Sequence, residues 1–132
     1  MACSASDTIV AVSSPPGAAT RGLVRLSGDG AFEMLRRWLR KEPAANTKPR
    51  QMVPARLAGK DLELPVLVVR FEAASSYTGQ DMVEIQLPGH PVLLDRMVHE
   101  AMDLGARLAE PGEFTFRAFL AGKIDLTQAE GI

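Results

Sequence analysis

Three charged residues lie inside otherwise apolar segments, where an ionised side chain is costly unless it is paired or solvated. Arg25 is the only charge in LVRLS, Glu84 is the only charge in MVEIQL, and Lys123 follows Gly122 at the end of an apolar helical pattern. Spacing alone favours the simpler interpretation, in which one sheet face is open to water and these are surface residues or a surface ion pair. The alternative is that they line a ligand site.

The motifs of nucleotide and metal chemistry are missing from the sequence. A P-loop needs G-x-x-x-x-G-K-[ST], but Arg117 stands at its first glycine and Ile124 replaces its hydroxyl residue. We therefore expect no binding of a nucleoside triphosphate through such a loop. His90 and His99 have no cysteine nearby, so a zinc site is not expected. The sequence contains no G-x-G-x-x-G, and no Ser-His-acid set can be singled out.

The apolar pattern predicts the strands that must position these charges. Alternation places Arg25 on the face opposite Val24 and Leu26, and Glu84 on the face opposite Val83 and Ile85. Predicted strands are Thr8 to Val12, Leu23 to Ser27 and Met82 to Leu87, with a hairpin of Met52 to Leu57 and Leu62 to Phe71 around Gly59-Lys60-Asp61.

Helical spacing and end signals predict the remaining elements. Asp29 is expected to cap a helix ending near Arg40, and Pro91 to start a second helix that Gly105 closes. A short strand is predicted within residues 106–109, a third helix from Glu113 to Leu120, and a fourth capped by Asp125. Because strands and helices do not alternate strictly, we predict an α+β fold with a mixed β-sheet and flanking helices.

Composition is that of an ordinary soluble domain. The chain has 132 residues, 46% hydrophobic and 23% charged, with a net charge of -1, so no overall basic field indicates nucleic-acid binding. Cys3 stands alone near the terminus, which argues against a disulfide framework. The first residues lack a secretory pattern, and Leu64 to Val69 is too short to span a bilayer. We expect a cytoplasmic protein without a membrane partner.

Three blocks of the sequence resemble the first domain of a known family. PGEFTFRAFLAGKIDLTQAE (Pro111 to Glu130) matches the PGEF-x-x-RAFLNGK-x-DL-x-QAE signature of tRNA-modifying GTPases of the MnmE (TrmE) family. DTIVAVSSPPG (Asp7 to Gly17) with LVRLSG, and SSYTGQDMVEIQ (Ser75 to Gln86), resemble two further segments of that family. The resemblance covers the whole chain in order.

The resemblance implies a fold similar to tetrahydrofolate-binding domains, which pairs with itself as a homodimer. Residues 1–124 would be the folate-binding and dimerisation domain, and residues 125–132 the start of a helical domain. The family's contacts to 5-formyltetrahydrofolate fall on Arg25, Glu84 and Lys123. Glu84 could accept both a pterin ring N–H and the exocyclic amine, while Arg25 and Lys123 supply positive charge for the folate carboxylates. Which cation meets which part of the ligand stays open.

Other properties of the family would reside outside this chain. They are a GTPase that uses GTP, Mg²⁺ and K⁺, a C-terminal catalytic cysteine for which Cys3 is no substitute, and a flavin-containing partner, MnmG (GidA). With that partner, the family modifies the wobble uridine of certain tRNAs.

The sequence departs from the family pattern at three places. Ala18, Ala19 and Thr20 replace a glycine-rich run, Gln80 stands where glutamate is usual, and LPGHPVLL includes His90 where HGGPVVL is usual. These changes leave two alternatives open beside folate binding. One is a ligand-free structural dimerisation module. The other is a small folate-dependent one-carbon transferase in which Glu84 or Asp81 moves a proton.

Overall fold

The computed structural model describes residues 7–13, 19–40, 48–60, 63–125 and 127. Within them, six strands form one sheet in the order β3-β4-β5-β2-β1-β6. All neighbouring pairs are antiparallel except β1 and β6, which are parallel. This confirms the predicted α+β class with a mixed sheet. The strands are β1 Ile9–Val12, β2 Ala19–Ser27, β3 Val53–Ala58, β4 Glu63–Phe71, β5 Met82–Gly89 and β6 Arg107–Leu108. The helices are α1 Ala31–Trp38, α2 Pro91–Asp103 and α3 Glu113–Leu120.

The central strands β2 and β5 have one face fully buried, as their alternation predicts. Val24, Leu26, Val83 and Ile85 are each 0% exposed and belong to one core cluster. Helices α1 and α2 supply Leu35, Trp38 and other apolar residues to that cluster. Fully burying a side chain of this size stabilises the fold by about 1.5–3 kcal/mol. The opposite face of the same strands carries Arg25 and Glu84, which are partly exposed.

Two strand boundaries differ from the predictions. β2 begins at Ala19 rather than Leu23, and β5 continues through Pro88 to Gly89 rather than ending at Leu87. The two strands pair with each other along this extra length, with a register shift between Ala19 and Arg21. The predicted boundaries were wrong because pairing between distant segments overrides the local breakers glycine and proline.

The predicted cap of α1 was also wrong. The N-cap residue is Gly30, without a side-chain hydrogen bond, and Asp29 lies in the preceding turn. Gly28 causes this turn, because its φ of +148° favours glycine, and a Cβ there would lie 2.5 Å from the Cα of Thr8. The chain therefore passes close to Thr8, which precedes β1, before the helix begins.

Most of the remaining elements agree with the sequence pattern. The hairpin of β3 and β4, the start of α2 at Pro91, the short strand β6 and the bounds of α3 are confirmed. His90 caps α2, since its Nδ1 accepts the Val92 N–H at 3.2 Å. The fourth helix predicted after Asp125, Cys3, Ala18 and the Asp61 turn position lie outside the described residues.

Candidate functional site

Arg25 and Glu84 meet across the two central strands. They are direct register partners in the β2–β5 ladder, and both side chains lie on the face opposite the core. Arg25 Nη2 donates to Glu84 Oε2 at 2.6 Å, and Arg25 Nε donates to the same oxygen at 2.9 Å. Their side chains are 26% and 20% exposed. The two residues thus form an ion pair on a partly open sheet face.

The geometry of this pair leaves the carboxylate able to accept more. Both arginine bonds end on Glu84 Oε2, and within the described part of the chain Oε1 accepts no hydrogen bond. The guanidinium fixes the orientation of the carboxylate, because charge-assisted bonds are short and directional. A ligand N–H could bind Oε1 without displacing Arg25.

Lys123 lies elsewhere, beyond the end of α3. Its Nζ donates to the carbonyl of Ala74 at 2.9 Å, in the loop that precedes β5. Among the described residues it makes no hydrogen bond or ion pair with Arg25 or Glu84. The structure therefore joins two of the three predicted site residues and places the third on a neighbouring loop.

The position of Lys123 also bears on nucleotide binding. Gly122 and Lys123 follow the C-terminal end of α3, where the helix dipole is negative. A P-loop instead places phosphates at the N-terminus of a helix. The geometry around this Gly-Lys pair is thus opposite to that of a P-loop.

An open cleft of about 820 Å³ adjoins Arg25. Its walls are the outer end of β1, the segment 109–112 and one side of α3. Val12, Phe116 and Phe119 line it and are 40%, 46% and 38% exposed. Neither Glu84 nor Lys123 belongs to the lining. The cleft offers aromatic surface beside a cationic group, which suits a planar ligand that carries negative charge.

A second group of charges joins α3 to β6 and to the residue before β1. We call it the Arg117 cluster, and its members are Asp7, Arg107, Glu113 and Arg117. Arg107 contacts Glu113 at 2.6 Å and Asp7 at 2.8 Å, while Arg117 contacts both carboxylates. The side chains of Glu113 and Arg117 are each 3% exposed and lie one turn apart on α3. Two cations thus neutralise two carboxylates, as buried charges require.

The cluster keeps its carboxylates ionised. Hydrogen bonds from Arg107, opposed by burial, lower the pKa of both Asp7 and Glu113 below their ordinary values. The carboxylates of Glu113 and Asp7 in turn raise the pKa of Arg107. A general acid or base needs a pKa near the working pH. Asp7 and Glu113 therefore serve as fixed charges and not as proton carriers near neutral pH.

Sequence reasoning missed this cluster. From the sequence, Arg117 was noted only as the residue that interrupts a P-loop pattern. A signal was present, because Glu113 and Arg117 stand four apart on a predicted helix and can pair. Asp7 is 110 residues away from Arg117, and no local pattern predicts that contact.

The described residues contain no candidate metal site. None of their His, Cys, Asp and Glu side chains gather in threes in a way that could hold an ion. His99 is exposed, and its Nδ1 lies 3.5 Å from the Asp95 carboxylate on α2. In the same parts of the chain, every helix is too short or too polar to cross a membrane.

Comparison with known proteins identifies a family. The family described as GTP-binding protein TrmE N-terminus matches residues 8–123. The chain is similar to the tRNA modification GTPase MnmE of Aquifex aeolicus, with 44% identity over 129 residues. The alignment covers 96% of this chain and 28% of that protein.

Two further relatives are also tRNA modification GTPases named MnmE. The MnmE of Thermus thermophilus is 43% identical over 136 residues, covering 96% of this chain and 30% of that protein. The MnmE of Neisseria meningitidis serogroup A is 42% identical over 127 residues, covering 95% and 28%. The chain thus spans less than a third of the length of these relatives.

Proposed function

This chain belongs to the family of TrmE N-terminal domains, and on that premise we propose that it binds a reduced folate, 5-formyltetrahydrofolate. The observation that carries the proposal is the Arg25–Glu84 pair on the open face of the sheet, with Glu84 Oε1 free to accept a ligand hydrogen bond in the described part of the chain. The pterin ring presents adjacent N–H donors, which match a carboxylate held in a fixed orientation.

The surroundings of the pair support the same ligand class. Arg25 lines the cleft that contains Phe116 and Phe119, so a flat ligand with an anionic tail would meet aromatic and cationic surface together. Lys123 supplies a second cation, and its ammonium keeps two N–H donors for a carboxylate while the third bonds to the Ala74 carbonyl. Asp81 is a poorer candidate for proton transfer, because its Oδ1 already accepts the Ala73 N–H at 3.0 Å.

Titration of 5-formyltetrahydrofolate into wild type and Glu84→Ala tests the site. Losing one partner of a partly buried charge-assisted pair typically costs about 2–5 kcal/mol, so affinity should fall roughly 30-fold or more. Lys123→Ala should weaken binding less than about fivefold, since an exposed ion pair contributes only about 0–1 kcal/mol. Glu33→Ala, an exposed carboxylate on α1, is the matched control and should bind like wild type.

Thermal unfolding of each variant must show that the domain stays folded. Wild-type affinity in Glu84→Ala would reject the site assignment. If wild type binds no folate at all, the chain is better described as a structural dimerisation module. A turnover assay with bound folate distinguishes a one-carbon transferase from a binding domain. Product would accumulate only if the chain is a transferase.

We further propose a homodimer as the working state of the domain. Val12, Leu108, Phe116, Phe119 and Leu120 are exposed apolar residues on or near the cleft and α3, and a second copy could cover them. A specific interface should bury at least about 1,000 Å² in total. Sedimentation equilibrium at tens of micromolar should show the dimer, and a purely monomeric sample would remove this part of the proposal.

The longer relatives suggest the wider context. They are named tRNA modification GTPases. We propose that this chain acts as the N-terminal part of such a protein, which modifies the wobble uridine of tRNA in the cytoplasm with an MnmG-like flavoprotein. GTP, Mg²⁺ and K⁺ would bind outside this chain, so calorimetry with GTP should detect no binding to it. Micromolar GTP binding would contradict that assignment.

A further inference from the structure

The side-chain amide oxygen of Gln80 lies between α3 and the central strand β2, where Arg117 Nη1 also donates to the Ser27 carbonyl at 3.4 Å. Gln80 Oε1 accepts a hydrogen bond from Arg117 Nη1 at 2.9 Å and another from Ser27 Oγ at 2.9 Å. Ser27 Oγ also lies 2.7 Å from Thr78 Oγ1, which accepts the Gln80 N–H at 3.3 Å. Ser27 and Thr78 are 0% and 1% exposed, so these bonds are shielded from water.

The residues around Gln80 form a loop, 73–81, that is closed on itself and on β2. Ser76 Oγ donates to the Gln80 carbonyl, and the Ala73 N–H donates to Asp81 Oδ1 at 3.0 Å. The Gly28 N–H donates to the Asp81 carbonyl at 3.0 Å. The loop then runs directly into β5, so its placement sets where that strand starts.

The same loop contacts Lys123 and leads into the strand that carries Glu84. The Ala74 carbonyl accepts a hydrogen bond from the Lys123 ammonium. Gly79 packs so closely on Ala121 that a Cβ at Gly79 would lie 2.4 Å from the Ala121 Cβ. At its other end, Glu84 follows Asp81 by three residues on β5. A shift of the loop would therefore move Lys123 and Glu84 relative to each other.

We propose that Gln80 is a positioning residue of the ligand site. By bonding the loop 73–81 to Arg117 and Ser27, it fixes the Ala74 carbonyl, which holds Lys123, relative to Glu84. The inference rests on the proposed folate function. Arg117 already neutralises carboxylates in a balanced cluster. An oxygen of the side chain at position 80 gives Arg117 Nη1 one further acceptor, at 2.9 Å.

Three variants isolate the acceptor. Gln80→Met keeps the volume and removes the oxygen, Gln80→Glu keeps an oxygen, and Gln51→Met makes the same change at an exposed position before β3. Amide hydrogen exchange of Ala73 and Gly28 in the ligand-free chain reports loop closure, and titration of 5-formyltetrahydrofolate reports the site. Gln80→Met should speed exchange at both amides about tenfold and weaken folate binding by a similar factor.

Rescue distinguishes positioning from space filling. Gln80→Glu should restore slow exchange and most of the affinity, and Gln51→Met should match wild type in both measurements. Unchanged exchange in Gln80→Met, or faster exchange with wild-type folate affinity, would overturn the proposal. If wild type binds no folate, the folate function fails and the ligand role of Gln80 fails with it. Exchange that is slow only with an oxygen at position 80 would then show a purely structural link.

Discussion

The Arg25–Glu84 pair and the Arg117 cluster both join guanidinium groups to carboxylates, but only the cluster contains buried charges. In the pair, one guanidinium meets one carboxylate across two strands, and the side chains are 26% and 20% exposed. In the cluster, two guanidinium groups meet two carboxylates. Glu113 and Arg117 are each 3% exposed, whereas Arg107 and Asp7 are 32% and 34% exposed. The cluster bonds the residue Asp7 before β1 to β6 and α3, whereas the pair links only neighbouring strands that the sheet already joins.

This difference separates stability from binding. A solvent-accessible ion pair contributes about 0–1 kcal/mol, whereas breaking a buried one costs about 3–5 kcal/mol, because an uncompensated charge stays behind. We expect the cluster to hold the architecture together and the pair to be available for a ligand. The same type of substitution should therefore mainly lower the unfolding free energy in the cluster and mainly lower ligand affinity in the pair.

The largest effect on stability is expected for Arg117→Met. This change leaves Asp7 and Glu113 with one guanidinium between them, so the free energy of unfolding should fall by about 3–5 kcal/mol. Arg25→Met is the matched control and should lower it by no more than about 1 kcal/mol. Urea unfolding measures both values. Equal losses in the two variants would remove the contrast between the regions.

A smaller loss of stability is expected for Gly28→Ala, because Gly28 lies against the backbone of Asp7 in the cluster. Gly28 has φ +148°, and a Cβ there would lie 2.7 Å from the Asp7 carbonyl oxygen, which accepts a bond from Arg117. Gly28→Ala should therefore cost about 2 kcal/mol or more in unfolding free energy. Gly112, on the cleft side, has φ +77° with no atom within 4 Å of its Cβ position. Gly112→Ala should cost only about 1 kcal/mol, from backbone strain alone.

Urea unfolding of this glycine pair separates close approach from backbone strain. If the two alanine variants lose the same stability, the close approach to Asp7 and Thr8 is not what requires glycine at position 28.

The pH dependence of stability should also come from the cluster. The pKa of Glu113 is lower in the folded chain than its ordinary value of 4.5, chiefly because Arg107 donates to it. Its contribution is thus complete above about pH 5 and is lost as the pH falls through the lowered value. Glu113→Gln should reduce the slope of unfolding free energy below pH 4.5 by at most about 1.4 kcal/mol per pH unit. An unchanged acid slope would contradict this assignment.

Urea titrations between pH 3 and pH 6 measure that slope. Asp7 should add a similar dependence just below its ordinary value of 3.8, since hydrogen bonds from Arg107 lower its pKa as well. Glu33→Gln, at an exposed ion pair on α1, provides a comparison carboxylate with little stabilisation to lose.

Features that depend on residues close together in the sequence were predicted correctly, whereas features that depend on residues far apart were not. Alternation in LVRLS and MVEIQL correctly assigned Val24, Leu26, Val83 and Ile85 to the core and Arg25 and Glu84 to the other face. The bounds of β2 and the cap of α1 were wrong, since both depend on partners far along the chain. The folate site and the dimer stay predictions.

The amino-acid sequence by itself determined the family, the strand faces and most helix bounds, because periodicity and motif spacing are local properties of the chain. Only the tertiary structure decided that Arg25 bonds to Glu84, that Lys123 lies on Ala74, and that Arg117 reaches Asp7 and Gln80. These contacts join residues 37 to 110 positions apart. Strand register and the packing of α3 bring such residues together, and neither leaves a signal in the spacing of the residues themselves.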